Sequence, residues 1–362
     1  MSNFGYVGFK DENGVAYGVK HISNKPSVSS MPYTFDIAYG NVSGKASWSK
    51  IGYNPSITTT EEDIWSAGGS YVFPTSSDLQ MEVVSSLATA DVDIGTILFT
   101  GTCDTGGSTT TLIKAGVNFS ATATAGDILI IEKSGTTPEW GVITTAANGS
   151  LTFTGGLSSG GSCATARTYQ VLDASAAKGA MAVKIEYLTT AYAEKTEIVI
   201  LNINTPVPLI NADVYRVNSF RVIAVGTKAT ALNAAGGNLS LMKNAGLTYS
   251  YITAGFTRAR NIVYTVPASK TLYVTHVSAS FGTTGNANKE YARIWTRANV
   301  EPATRFNTGL LMYPYTELMA QNSTVFLELV CPTKLPAKTD LKMSAVATAA
   351  GAVAVALRGW LE

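Results

Sequence analysis

The sequence predicts an all-β protein, and three observations predict it. Short period-2 runs bounded by Gly, Pro and Asn recur along the 362-residue chain. No long stretch carries the 3.6-residue repeat of an amphipathic helix. Asn148-Gly149, set between Val142-Ile143 and Leu151/Phe153, is the strongest short-range hairpin signal in the chain.

The alternating runs give candidate strands at 71–74, 79–85, 127–132, 140–145, 150–154, 181–187, 197–201, 263–266, 272–280, 291–296, 325–330, 341–346 and 353–357. Two of them share an entry. VPASKTLYVTHV (266–277) and LPAKTDLKMSAV (335–346) each begin with an aliphatic residue and Pro-Ala and then alternate. Proline fixes φ where its missing donor costs little, so both read as a turn followed by a half-buried strand. Alternation places Leu272, Val274 and His276 together on the inward face, and Leu341, Met343 and Ala345 likewise in the echo.

Residues 1–62 differ in kind. Aromatic residues sit beside glycine in Phe4-Gly5-Tyr6, Gly8-Phe9, Tyr17-Gly18, Tyr39-Gly40 and Gly52-Tyr53, with few apolar runs between them. Such a segment buries little core of its own, so it reads as an extended N-terminal arm that orders against a neighbour. Its contact residues are then Tyr33, Phe35, Tyr39, Trp48 and Tyr53, aromatics giving large contact area at low entropy cost. The competing reading is a few short strands capping the main domain. Residues 98–171 form a second compositional island, rich in Gly and Thr and dense in strands.

Composition narrows function. Charged residues make up 14% of the chain, against roughly 25% in typical soluble domains. A neutral, small-residue surface suits burial in an assembly. The net charge is +1 with Lys and Arg scattered, which argues against nucleic-acid binding. The start MSNFGYVGFKDENG has no secretory pattern, and the longest apolar run, 345–357, is too short and Ala-rich for a membrane span. Cys103, Cys163 and Cys331 have no metal spacing and fit a chain made in a reducing cytoplasm. The Asn-x-Ser/Thr matches then carry no glycosylation.

The motifs with chemical overtones dissolve one by one. Lys270-Thr271 lacks the upstream glycines of a phosphate loop. Ser47-Trp48-Ser49-Lys50 matches S-x-x-K, and Lys133-Ser134-Gly135 resembles its Lys-Thr-Gly partner, but no helix pattern follows the serine. Glu61-Glu62-Asp63 reads as a solvated acidic turn, since neighbours in extended chain point apart. The histidines are His21 and His276, with no zinc pattern. No catalytic residue, cofactor site or metal site is expected, and no enzyme.

Glu61-Glu62-Asp63-Ile64-Trp65-Ser66-Ala67-Gly68-Gly69-Ser70-Tyr71-Val72-Phe73-Pro74, followed by LQMEVVSS and, at 180–201, AMAVKIEYLTTAYAEKTEIVIL, resembles a β-rich virion protein of tailed bacteriophages. In that family the segment like VVSS runs almost directly into the segment like 180–201, whereas here 98–171 intervenes. The resemblance therefore implies a small β-barrel-like module inserted in a surface loop, with Cys103 and Cys163 close in space at its ends. It implies a jelly-roll-type β-sandwich formed by 63–97 and 172–362, with 1–62 as arm and 98–171 as insertion. It further implies a homo-oligomer, a trimer by analogy, that decorates or cements the capsid, with the major capsid protein or other virion proteins as partners. Its localisation is the virion, assembled in the bacterial cytoplasm, with no membrane or nucleic-acid partner. The alternative is a tail or fibre component contacting a host-surface glycan. A depolymerase version of it requires a carboxylate pair in an aromatic-lined cleft.

Overall fold

Strands hold 56% of the residues in the computed structural model, and one sheet is nearly closed like a barrel. The structure describes residues 9–10, 16–17 and the chain from 33 onward, apart from 75–79, 88–90, 92–96, 133, 136–137, 155–156, 158–162, 176–177, 228–233, 244–245, 284–289, 299–316, 321–323 and 349. Most of the first 32 residues of the expected arm thus lie outside the described residues.

In chain order, β1 (Phe9–Lys10) pairs with β2 (Ala16–Tyr17), and the six-residue helix α1 (Tyr33–Ala38) precedes β3 (Ala46–Ile57), β4 (Glu62–Asp63) and β5 (Glu82–Ser85). Next come β6 (Ile97–Thr102), β7 (Thr111–Asn118), β8 (Ile128–Ile131), β9 (Ser134–Gly135), β10 (Glu139–Thr154) and β11 (Thr168–Leu172). Then follow β12 (Ala180–Leu188), β13 (Glu194–Ile200), β14 (Val207–Pro208), β15 (Arg216–Val225), β16 (Leu239–Met242) and β17 (Thr248–Ile252). The chain ends with β18 (Tyr264–Thr265), β19 (Leu272–Thr283), β20 (Glu290–Ala298), β21 (Glu317–Ala320), β22 (Thr324–Leu335), β23 (Thr339–Ala347) and β24 (Gly351–Leu361).

These strands enclose three cores. Sheets β22-β19-β24-β3 and β18-β23-β20-β21 face each other over Ile57, Ile64, Leu272, Val277, Phe281, Met343 and Val355. Sheets β15-β12-β13-β9 and β14-β5-β16-β17 enclose Val83, Ile185, Tyr187, Phe220, Leu241 and Tyr249. The five-stranded sheet β6-β11-β8-β10-β7 curls around Leu112, Phe119, Leu129, Phe153 and Tyr169, and the Asp104 amide donates to the Ile113 carbonyl at 2.8 Å to bring its edges together. Its stems β6 and β11 pair antiparallel, and the Asp91 carboxylate before them accepts the Ala180 amide after them at 2.7 Å. The thiols of Cys103 and Cys163 meet inside this sheet.

β8 reads Ile-Leu-Ile-Ile without a polar residue because both its faces are covered. Leu129 and Ile131 face the barrel interior. Ile128 and Ile130 pack with Met181, Ala182, Ile198 and Ile200 of the middle sandwich. The barrel, that sandwich's β12-β13 sheet and its second sheet form consecutive layers.

The Asn148-Gly149 signal turns the chain back within β10. The Thr144 hydroxyl reaches the Thr152 carbonyl at 3.1 Å, and the Thr154 hydroxyl the Val142 carbonyl at 3.4 Å. A straight strand would separate residues 142 and 154 by about 40 Å at its usual rise of about 3.3 Å per residue. Both contacts are symmetrical about Asn148, and Gly149 takes the left-handed φ of 80° that closes such a loop.

Four local expectations meet a different structure, the first being the solvated acidic turn: Glu62–Asp63 form β4 against β23, and Asp63 is buried on the Lys342 ammonium. Residues 71–74 form no ladder; Tyr71 and Phe73 are buried in an extended connector, with the Tyr71 amide on the Asp63 carboxylate at 2.6 Å. Residues 46–57, read as arm, form β3, which pairs with β24 over nearly its full length. His276 faces outward rather than inward. Val274 pairs with Gly359 and the next paired residue, His276, with Arg358, so Thr275 is an extra residue and a β-bulge inverts the alternation. Leu272 and Val274 point inward before it, and Val277, Ala279 and Phe281 after it. The His276 side chain is 46% exposed with Nε2 3.5 Å from Glu328. Gly359 makes this bulge possible, because a Cβ there would overlap the Tyr273 carbonyl.

The two sandwiches are joined by a buried ion pair. Arg216 at the start of β15 is 1% exposed and grips Asp340 of β23 with Nε at 3.0 Å and Nη2 at 3.2 Å. Its Nη1 donates to the carbonyls of Pro74 (2.9 Å) and Tyr215 (3.0 Å), and the guanidinium lies 4.0 Å from the centre of the Tyr215 ring. The Thr265 hydroxyl donates to Asp340 Oδ1 at 2.5 Å.

Arg216→Met leaves the Asp340 carboxylate buried without its cation and costs about 3–5 kcal/mol in chemical denaturation, whereas adding Asp340→Leu to it recovers more than half of the loss. Gly359→Ala costs about 3 kcal/mol in the same measurement, because the bulge at Thr275 has no room for a methyl group.

Candidate functional site

β3 runs beside the middle sandwich, and between them lies a cleft of about 720 Å³. Its walls come from β3, β12, β13, β15, the segment 258–261 and Tyr264. The cleft therefore exists because β3 belongs to one sandwich and runs beside the β15-β12-β13 sheet of the other.

Partly buried charge defines it. Lys50 of β3 sends its ammonium to the Asn218 carbonyl (2.5 Å) and to Asn261 Oδ1 (3.3 Å). Both partners are neutral, so burial pushes the Lys50 amine down to about 8, with the nearby Glu186 carboxylate pulling the other way. Burial alone would raise the Glu186 carboxyl. The Lys184 ammonium at 2.9 Å and the Arg221 guanidinium at 3.7 Å outweigh it and hold Glu186 below the usual carboxylate range. Glu194, on the same wall, pairs with Lys270 at 3.1 Å. The Tyr264 phenol is pushed up by burial and by the charges of Glu194 and Glu186, against a hydrogen bond with Trp48, so it stays protonated. Trp48 packs edge-on against it at 5.0 Å.

The cleft presents hydrogen-bonding groups from several strands. A general acid needs a carboxyl raised toward neutrality, and Glu186 is held the other way by Lys184 and Arg221. The rings of Trp48, Tyr187, Phe220 and Tyr264 are buried as walls and present little open face for stacking. Ser47 and Lys50 both line the cleft, but three residues apart on a strand they point to opposite sides, unlike the same-face pair of an S-x-x-K helix. Among the described residues no group of three His, Cys, Asp or Glu is placed to hold a metal ion. Among the described residues no helix is long and apolar enough to cross a membrane.

The five aromatic residues expected to make arm contacts are separated. Trp48 is in the core and on the cleft wall. Tyr53 lies on β3 beneath the Arg260 guanidinium at 4.2 Å. Tyr39 is 71% exposed just after α1. Tyr33 and Phe35 lie on α1, their side chains outside the described residues. Reading the sequence did not single out Lys50 as a buried amine, nor Glu186, Asn218 or Asn261 as its neighbours. The available signal is a lysine between Trp48 and Gly52 on a strand, and its partners come from other strands far along the chain.

No protein-family model matches the chain, and no curated protein matches it significantly in sequence.

Lys50→Gln removes a pH dependence with a definite sign. The amine titrates near 8 when folded and near 10.5 when unfolded, so the unfolded chain binds more protons between those values. The natural protein gains stability relative to the variant as pH rises from 8 to 10.5, by up to about 3 kcal/mol, with no such gain below pH 8. Urea midpoints of the two proteins across that range measure it.

Proposed function

We propose that this chain is a structural protein of a tailed-bacteriophage virion, working as a homo-oligomer that decorates or cements the capsid. The observation that carries this reading is the strand order of the sandwich ending at β24. One sheet runs β22-β19-β24-β3 and the other β18-β23-β20-β21, so from β18 to β24 successive strands alternate between sheets except at the β20-β21 hairpin. That order supports a jelly roll, the double Greek key used in viral capsid and lectin domains. Fold alone does not fix function, and two features of the surface add support. The outer face of the β22-β19-β24-β3 sheet carries Ser278, Ser280, Ala352, Ala354 and Ala356, and Phe326 on its edge strand is 79% exposed. Small uncharged side chains let a copy of the chain or a capsid subunit approach closely, and a trimer is the proposed state.

Because β3 completes the sandwich, the proposed arm is the chain ahead of it, with Tyr33, Phe35 and Tyr39 as its aromatic contacts. Trp48 and Tyr53 then serve the fold. The partners are the chain itself and the major capsid protein, the localisation is the virion, and the role is binding rather than enzymatic, without a cofactor. A second reading, a tail or fibre component contacting host-surface glycan, draws on the cleft between the sandwiches, whose ionised acceptors and fixed donors suit sugar hydroxyls. Its acids suit a depolymerase poorly.

Copy number separates the two. Quantitative mass spectrometry of purified particles gives hundreds of copies for a decoration protein, on the scale of the major capsid protein, while a dozen or so would sink that reading in favour of the tail. Removing residues 1–40 takes away Tyr33, Phe35 and Tyr39 but spares β3 and all three cores, so the truncated chain folds and stays oligomeric by light scattering yet is lost from particles. Incorporation at the natural level would rule out the arm.

A further inference from the structure

The barrel holds two sulfurs that the cleft and the sandwiches do not use. Cys103 follows β6 and Cys163 lies ahead of β11; both are buried in the barrel core and both are free thiols. The segments that carry them run side by side. The Cys103 amide donates to the Arg167 carbonyl (2.8 Å), the Gly106 amide to Ala164 (3.3 Å) and the Cys163 amide to Ser108 (3.1 Å). Gly107 is pressed so closely onto this seam that a Cβ there would lie 2.9 Å from that of Cys163. The Cys163 thiol is hydrogen-bonded to Cys103. The Cys103 sulfur also accepts from the Arg167 amide at 3.3 Å and donates to the Thr165 carbonyl at 3.5 Å. These bonds set Cys103 opposite Arg167 and Cys163 opposite Ser108, and the two thiols converge in the core between the segments.

We propose that Cys103 and Cys163 form an oxidation site, a dithiol that closes into an internal disulfide when the folded protein meets a peroxide. One thiolate attacks the peroxide, the O–O bond breaks, hydroxide leaves, and the sulfur, oxidised by two electrons, becomes a sulfenic acid. The second thiol displaces the sulfenic hydroxyl, the S–S bond forms and water leaves. Burial keeps bulky disulfide reagents out and pushes the Cys163 thiol up to about 12, against the pull of the Arg167 guanidinium, so the first step is slow. The ring so closed spans residues 103–163 and contains β7 to β10, so the bond limits the freedom of the unfolded barrel and stabilises it. A chain made in a reducing cytoplasm and later carried outside the cell would acquire this staple after release. That occasion rests on the proposed virion role, whereas the chemistry does not.

The full chain is incubated with hydrogen peroxide or with dithiothreitol, alkylated, digested without reduction and analysed by mass spectrometry. The expected result is a peptide joining Cys103 to Cys163, two hydrogens lighter than its parts, with an upward shift of the thermal transition that dithiothreitol reverses. Cys331→Ser leaves the linked peptide in place, and Cys103→Ser removes it. The linked peptide is read on the unaltered chain, so a variant that fails to fold does not obscure the answer. If the folded, peroxide-treated chain keeps both thiols open to alkylation after denaturation, the proposal is overturned. Recovery of either sulfur only as sulfinic acid, or joined only to Cys331, overturns it as well.

Discussion

The contact between Arg216 and Asp340 fixes how the two sandwiches sit, and the cleft follows from it. A guanidinium removed from water is tolerable only when its donors are met, and here Asp340 takes two of them while the carbonyls of Pro74 and Tyr215 take another nitrogen. The partners come from β15, from β23 and from the connector at residue 74, so one side chain gathers three parts of the chain. Asn218, two residues along β15, exchanges hydrogen bonds with the Thr265 backbone at 2.8 and 2.9 Å and continues the seam. Its carbonyl then receives the Lys50 ammonium. The buried pair, the seam and the cleft are successive positions along one strand.

Buried carboxylates do comparable work where strands give way to loops. A loop amide leaving a ladder has no partner of its own, and a carboxylate accepts several such donors at once. Asp91 accepts from the Ser85 hydroxyl and from the amides of Ala180, Gly236 and Gly237. Asp127 holds Thr124 and Ala174, and Glu197 holds Ile210 and Asn211. On the inner strand β23, Lys342 reaches Asp63 at 2.8 Å, where burial pushes the Asp63 carboxyl up while the lysine and the Tyr71 amide oppose it. The low charge content of this chain is thus concentrated in part inside, at positions that tie distant segments together.

What the sequence discloses follows from this division of labour. Alternation of Leu, Val and Ile marks strands such as β12 and β23 because a sheet with a buried face cannot avoid it. Asn148-Gly149 marks a turn because its φ requirement is local. The bulge at Thr275 is hidden, since one extra residue inverts every side chain after it while VTHVSASF still looks like a strand. His276 was misplaced for that reason alone. β3 was obscured by SWSKIGYNPS, whose small and polar residues suit an edge strand as well as a loose arm. The cleft was illegible because Lys50, Glu186, Asn218 and Asn261 are brought together by pairing between sheets, which no local pattern encodes.

The barrel's place in the stack bears on what an insertion is. A module hung from a surface loop by two antiparallel stems needs to contribute nothing to its host. Here Ile128 and Ile130 cover Met181, Ala182, Ile198 and Ile200, and β9 pairs with β13 to extend the host sheet. Without the barrel the β12-β13 sheet would expose a contiguous aliphatic face, a feature that soluble monomers avoid. β12 shows the accommodation directly. Its register against β15 shifts at Ala180, at Ala182 and again between Glu186 and Tyr187, with the small Ala182 facing the barrel while Val183, Ile185 and Tyr187 fill the core. β12 and the barrel therefore belong to one continuous hydrophobic structure.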